Sequence, residues 1–254
     1  MVHISLRAEE VFHWGSIIIT NTMLLSTVVV VLLGLFAIFL RHTLTKRIPG
    51  AIQNAVELIL LGILGVMDTV LISREKSERY LPLVATIFIF ILFSNWMGLV
   101  PGVGSLGIRE GHELIPFFRS PASDLNFTLA LALISVITIN IFGIVAIGFG
   151  KHMSKFVNVK SPVDFFIGIL EFISEIAKII SFSFRLFGNV FAGEVLLVIV
   201  AFLVPLIIPL PFLFMELFVG FIQAFIFGML TLVFIAIATT EHGAERSSRE
   251  VNNI

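Results

Sequence analysis

The run Ser181-Phe182-Ser183-Phe184-Arg185-Leu186-Phe187-Gly188-Asn189 sets one arginine deep inside an apolar stretch that extends from Ser161 to Leu203. Arginine does not give up its proton in proteins, and its charge at the centre of a bilayer helix costs ~2.5–3.5 kcal/mol on insertion scales. An intramembrane charge is by default a functional group, so Arg185 reads as a fixed cation on an ion path. As one helix at ~1.5 Å per residue, the stretch would run over ~60 Å, twice the ~30 Å of hydrocarbon in a bilayer. It must therefore be steeply tilted, bent or broken, with Gly188 and Gly193 as candidate weak points. Pro205, Pro209 and Pro211 end it in a tight connection, and 212–240 follows as a second long, slanted helix.

Outward from this pair, the chain keeps the same character. Of its 254 residues 58% are hydrophobic and 13% charged, with a mean hydropathy of +1.09. Soluble domains run at ~45–50% apolar and ~25% charged. Three further runs, 17–40, 81–100 and 125–149, supply the ~20 apolar residues a crossing needs. Residues 51–73 differ: Gln53, Asn54, Glu57 and Asp68 share about a third of the helical circumference. That pattern predicts an amphipathic helix at the membrane surface, the alternative being a crossing with a polar face turned inward. The expected fold class is an all-α integral membrane protein of about five transmembrane helices, one interfacial amphipathic helix and a C-terminal pair of long tilted helices. It forms a single membrane domain over 1–254, with an N-terminal segment 1–16 and a tail 241–254.

Basic residues set the orientation. Arg41, Lys46 and Arg47, then Arg74, Lys76 and Arg79, then Lys151, Lys155 and Lys160, and finally Arg246 and Arg249 fall on one side. Arg7, Arg109 and Arg119 fall on the other. The N-terminus is thus expected outside and the C-terminus in the cytoplasm. The net charge of -1 and the lack of a Lys/Arg-rich block give no nucleic-acid partner. No cysteine is present, which excludes disulfides, thiol catalysis and Cys-ligated metals. Met1–Ser16 lacks the basic start and cleavage site of a signal peptide.

Polar residues recur on the long helix. Glu171, Glu175, Lys178, Arg185 and Asn189 stand at intervals that keep one helical face, with Ser174 and Ser181 beside them. Glu194 is nine positions from Arg185, ~900° of rotation, and so points about half a turn away. On the last helix Glu216 and Gln223 share a face, with Gly220 between them. If the two helices form a hairpin, Glu194 and Glu216 lie near its turn and Glu171 and Glu175 near its open end. Blander readings exist: Glu175 and Lys178 as a structural ion pair, and Gln223 as interhelical glue. Gly148-Phe149-Gly150-Lys151 lacks the first glycine of a phosphate loop, since position 145 is Val. His112-Glu113 has no second histidine for a zinc-protease pattern, and His3, His13, His42, His152 and His242 sit near span ends as interfacial residues. No cofactor or metal site is indicated.

These residues resemble a known family. Phe184-Arg185-Leu186-Phe187-Gly188-Asn189 followed by Ala192-Gly193-Glu194 is similar to the signature of subunit a of F-type ATP synthases. Ser94-Asn95-Trp96-Met97-Gly98-Leu99-Val100-Pro101-Gly102 resembles its Asn-rich stretch ending in Pro-Gly, and Pro121-Ala122-Ser123-Asp124-Leu125-Asn126-Phe127-Thr128 resembles its Pro-x-x-Asp-x-Asn-x-Thr segment. The likeness covers roughly residues 10–242. It implies the stator half of a membrane rotor, with two offset proton half-channels facing a ring of c subunits that each carry one carboxylate. Arg185 would attract the ionised ring carboxylate and block direct flow between the channels. Asn189, Glu194, Glu216 and Gln223 would serve the outer half-channel, with Asn95, Asp124 and Asn126 near its mouth; Glu171, Ser174, Lys178 and Ser181 would line the cytoplasmic one. The resemblance also implies b subunits of the peripheral stalk as partners, a place in the F1Fo complex in the cell inner (plasma) membrane, and no catalytic site in this chain. The family often has His where Glu216 stands; with Glu at both 194 and 216, the two acids are expected to share a proton. The alternative is a secondary ion transporter or antiporter with a buried Arg/Glu couple, but the internal repeats common in such proteins are not evident.

Overall fold

A computed structural model describes residues 8–14, 17–44, 50–100, 102–103, 106–110, 113–156, 162–204 and 207–240. Six of its helices are long and apolar enough to cross a membrane, which makes it an all-α membrane protein. Each such helix satisfies its backbone groups internally, the condition for standing in lipid. Small strand pairs occupy only the connections.

The first crossing begins at Asn21 rather than Ile17. Residues Ile17–Thr20 form strand β2, antiparallel to β1 (Glu10–Trp14), and helix α1 (Asn21–Thr43) starts where Thr20 Oγ1 accepts from the Met23 N–H. Helix α2 (Ala51–Leu71) buries Ile63, Leu64 and Met67, while Gln53 donates to Glu57 at 2.8 Å on its exposed face. It is among the six helices with the length and composition of a crossing. Ile72, with φ 53°, turns the chain, and α3 (Arg74–Gly98) begins at once under a Ser73 cap. Arg74, Lys76 and Arg79 therefore ride on the start of α3, not on a loop before Leu81.

Between α3 and α4 lie β3 (Gly107–Glu110) and β4 (Glu113–Pro116), an antiparallel pair, and a 3-10 turn at Pro121–Ser123. Asp124 then caps α4 (Leu125–Ile147): its Oδ1 accepts from the Asn126 N–H at 2.9 Å, while Oδ2 accepts from the Thr22 hydroxyl of α1 at 2.9 Å. Gly148, at φ +88°, ends α4 in a conformation other residues rarely adopt, and the short α5 (Phe149–Met153) follows.

Helix α6 (Pro162–Leu203) is 42 residues long and helical throughout. Gly188 and Gly193 do not break it. Its mate α7 spans Pro209–Thr240 and starts earlier than Phe212, because Pro209 and Pro211 sit in its first turn, where a missing N–H costs nothing. Pro205 lies outside the described residues. Helix α7 is the hub, packed on α2, α3, α4 and α6. Val84, Phe88 and Ile91 of α3, Ala132 and Val136 of α4, Phe182 and Leu186 of α6, and Phe227, Leu232 and Ile235 of α7 form the core. Phe182 lies 4.7 Å from Phe227 and edge-on to Phe234 at 5.8 Å, centroid to centroid.

The end of α3 passes the 3-10 turn closely. A Cβ on Gly98 would stand 2.5 Å from Ser120 Cβ. Gly98→Ala is expected to destabilise by about 1–3 kcal/mol through overpacking, read as a lower thermal midpoint of the purified protein in detergent.

A chain of polar groups along α6 and α7

Two cavities, each with a few polar groups set in largely apolar walls, stand at different heights on α6. Nearer the α6–α7 turn, a cavity of about 230 Å³ is lined by Asn95, Arg119, Ser120, Glu194 and Glu216, with Gly98 and Gly220 at its wall. Arg119 leaves the loop before the 3-10 turn and is buried. Its Nε donates to Glu194 at 3.0 Å (Oε1) and 3.4 Å (Oε2). Glu216 is also buried, and its carboxyl lies against Gly193, where any Cβ would collide with it. Asn95 Nδ2 donates to the Gly220 carbonyl at 3.2 Å and the Trp96 indole to that of Leu217 at 3.0 Å, which locks α3 onto α7 beside the cavity. Asn95 Oδ1 and Ser120 Oγ make no hydrogen bond among the described residues and remain available to a mobile donor.

Below this cavity, Asn189 Nδ2 donates to Gln223 Oε1 at 2.8 Å and ties the two helices together. Arg185 comes next. Its Nη2 donates to Ser181 Oγ at 3.1 Å, and it forms no ion pair with any described residue. Ser174, Lys178, Ser181 and Arg185 line a second cavity of about 260 Å³ with Leu230 and Phe234. Arg185 and Glu194 are separated by ~14 Å of helical rise and about half a turn. Along the same stretch of α6, on the side turned about 100–180° from Arg185, the surface is bare and apolar: Ile173, Ile176, Ile180 and Phe184 are exposed.

At the far end of this second cavity, charges are paired. Lys178 donates to Glu175 Oε1 at 2.7 Å and stands 4.9 Å over the Phe234 ring. Glu175 Oε2 accepts from Asn140 Nδ2 at 3.2 Å, and Asn140 Oδ1 lies 2.9 Å from His152 Nε2. Because the Asn140 amide nitrogen faces the carboxylate, its oxygen faces the ring, and Nε2 carries the hydrogen. Glu171 and Lys155 border the same small space.

The structure thus brings Glu194, Glu216 and Asn95 together, joins Asn189 to Gln223, and sets Ser174, Lys178 and Ser181 beside Arg185. Asp124 and Asn126 line a separate cavity with Thr20, Thr22 and Ser26. The sequence reading passes over three members. Arg119 reads as a loop charge, yet it is the partner of Glu194. His152 reads as interfacial, yet it is buried. Asn140 carries no signal beyond a lone amide in an apolar run.

Burial holds the His152 imidazole below its ordinary value of 6.5; Lys155 acts the same way, and Glu175 and Glu171 oppose. The unfolded chain therefore binds this proton first as pH falls, so the stabilisation is complete above 6.5 and is lost below it. The thermal midpoint should drop between about pH 7.5 and about pH 5.5, and His152→Gln should flatten that drop.

Fold and polar groups define a class: a many-helix membrane protein with ionisable side chains set along one central helix pair. The family described as ATP synthase A chain matches residues 22–236, and the chain belongs to it. It is 34% identical to the ATP synthase subunit a of Moorella thermoacetica over 93% of this chain and 97% of the relative. Likeness to the ATP synthase subunit a of Nitratiruptor is 35% over 92% and 98%, and to that of Campylobacter jejuni 36% over 82% and 87%.

Proposed function

We propose that this chain is the stator subunit a of an F-type ATP synthase, presenting two proton half-channels to a c-ring and coupling transmembrane proton flow to rotation for ATP synthesis. The carrying observation is Arg185: a permanent cation on a long membrane helix, with a hydroxyl neighbour and no ion pair among the described residues. Its counter-charge is supplied from outside, and the exposed apolar flank of α6 that begins at Phe184, just over a quarter-turn from Arg185, offers a surface for the supplier to rest on. A ring of c subunits, each with one carboxylate, fits both the charge and the face.

The cavity with Asn95, Glu194 and Glu216 serves as the outer half-channel, with Gln223 and Asn189 leading down to Arg185. Asp124 and Asn126 stand apart from it, at the start of α4. The cavity with Ser174, Lys178 and Ser181 is the cytoplasmic half-channel, with Glu171 toward its exit. A ring carboxylate in lipid must be neutral, because bare charge there is too costly; beside Arg185 the ionised form is favoured. It therefore sheds its proton into one channel and takes one from the other. The membrane potential contributes ~2.3 kcal/mol per charge per 100 mV.

ATP chemistry belongs to partners in the F1Fo complex, and this chain has no catalytic site of its own. The b subunits of the peripheral stalk hold it against the torque. It sits multi-pass in the bacterial inner (plasma) membrane, with N-terminus outside, C-terminus cytoplasmic and α2 along the cytoplasmic interface. Cysteine cross-linking tests the docking face. Phe184→Cys should bond to a cysteine placed one turn from the ring carboxylate, and Ile134→Cys, on the exposed side of α4, should not. Equal yields from both would end the proposal.

A further inference from the structure

Two acids in one cavity invite the idea of a shared proton, but their surroundings differ. Arg119, with 8% of its side chain exposed, holds Glu194 through both carboxylate oxygens, and Glu194 is 34% exposed. Glu216 is 6% exposed, its carboxyl lies against the Gly193 backbone, and it forms no ion pair among the described residues. We propose that Arg119 is a positioning residue that keeps Glu194 as a fixed anion, so that Glu216 alone exchanges protons in this cavity. The inference rests on the half-channel reading.

The charges facing the cavity are few. Among the described residues, Arg119 comes from the loop before the 3-10 turn, Glu194 from α6 and Glu216 from α7, while α3 brings no charge, only the neutral Asn95 and Gly98. Arg119 and Glu194 cancel. Glu216 then gains or loses its proton in a nearly neutral surrounding. Without the guanidinium, a second acid would titrate within the same space and each would hinder the other's ionisation. The arginine also fixes where Glu194 lies, because its Nε–H is shared between both carboxylate oxygens. Glu216 is thereby kept free to turn toward Gln223, about two helical turns along the same face of α7, whose Nε2 is buried without a hydrogen-bond partner among the described residues.

The test is ATP-driven proton pumping by the whole complex in membrane vesicles, followed against the pH of the compartment facing this cavity. Arg119→Gln should lower pumping about tenfold or more, because it strands a partly buried carboxylate, and should add a second titration to the pH profile. Arg119→Lys should restore much of the rate and the single titration. Arg119→Gln with Glu194→Gln should recover most of the loss, since the orphaned charge goes with its partner. Should the double variant be no better than Arg119→Gln, with the parent's pH profile in both, Glu194 is itself a proton carrier and the assignment falls. Glu216→Gln in the parent separates the two levels: flux that survives it overturns the assignment of Glu216 as the exchanging acid, the half-channel reading itself being tested by Arg185→Ala, whereas flux lost in the parent and in the double variant leaves the division of roles standing on the Arg119 series.

Discussion

Arg185→Ala is expected to reduce ATP-driven proton pumping and ATP synthesis to background, while the complex still assembles. The size of the effect follows from what the guanidinium does to a carboxylate opposite it. An opposite charge at ~4–6 Å favours the ionised acid by about 1.4–4 kcal/mol, or roughly ten- to a thousandfold. Take it away, and a ring carboxylate arriving at the stator keeps its proton, so nothing is released into the exit channel. The same deletion removes the barrier between the two cavities. Arg185→Lys should rescue only part of the coupling, since a buried ammonium, unlike guanidinium, can lose its proton. Pumping and passive proton leak, measured on the same vesicles, separate the two consequences: coupling falls in both variants and leak rises most in Arg185→Ala. Unchanged coupling in Arg185→Ala would overturn the proposed function.

Glu216→Gln is expected to cut proton flux through the outer half-channel by at least about tenfold, a usual cost of losing a positioned proton-transfer group. The amide has the shape of the acid and fits the same place over Gly193, so the fold is retained. Flux through vesicles stripped of the soluble sector isolates this step from ATP chemistry. Glu216→Asp should fall between parent and amide, because the carboxyl survives but is drawn back from the cavity. Full flux in Glu216→Gln would remove Glu216 from the path. A smaller loss is expected for Asn95→Ala, whose amide both lines the cavity and holds the Gly220 carbonyl.

Much of this was legible in the residues because helices write their faces into the chain at fixed intervals. The spacing from Glu171 to Asn189 set Ser181, Lys178 and Arg185 on one side before any coordinates, and seven residues from Glu216 to Gln223 did the same for α7. Apolar run length located the crossings, although it began α1 at Ile17, since β-branched residues in a strand look as apolar as a helix start. What stayed hidden has no period. The Arg119–Glu194 pair joins a loop to a helix across 75 positions, and no interval in one sequence announces such a meeting. The expected sharing of a proton between Glu194 and Glu216 left Arg119 out for the same reason: the guanidinium reaches Glu194 from a loop far away in the chain. His152 was set aside as an interface residue because α5, too short for periodicity, does not reveal that its ring turns inward to Asn140.

The unbroken course of α6 has a mechanical consequence. One stiff rod carries Lys178, Arg185, Asn189 and Glu194, so these groups cannot be adjusted one at a time. Pivoting the rod about its middle would carry its two ends in opposite senses, widening one entrance as the other narrows. A wedge driven between α6 and its neighbours at Val190 would thus be felt at Ser174, the contacts of some four helical turns being shared by a single lever.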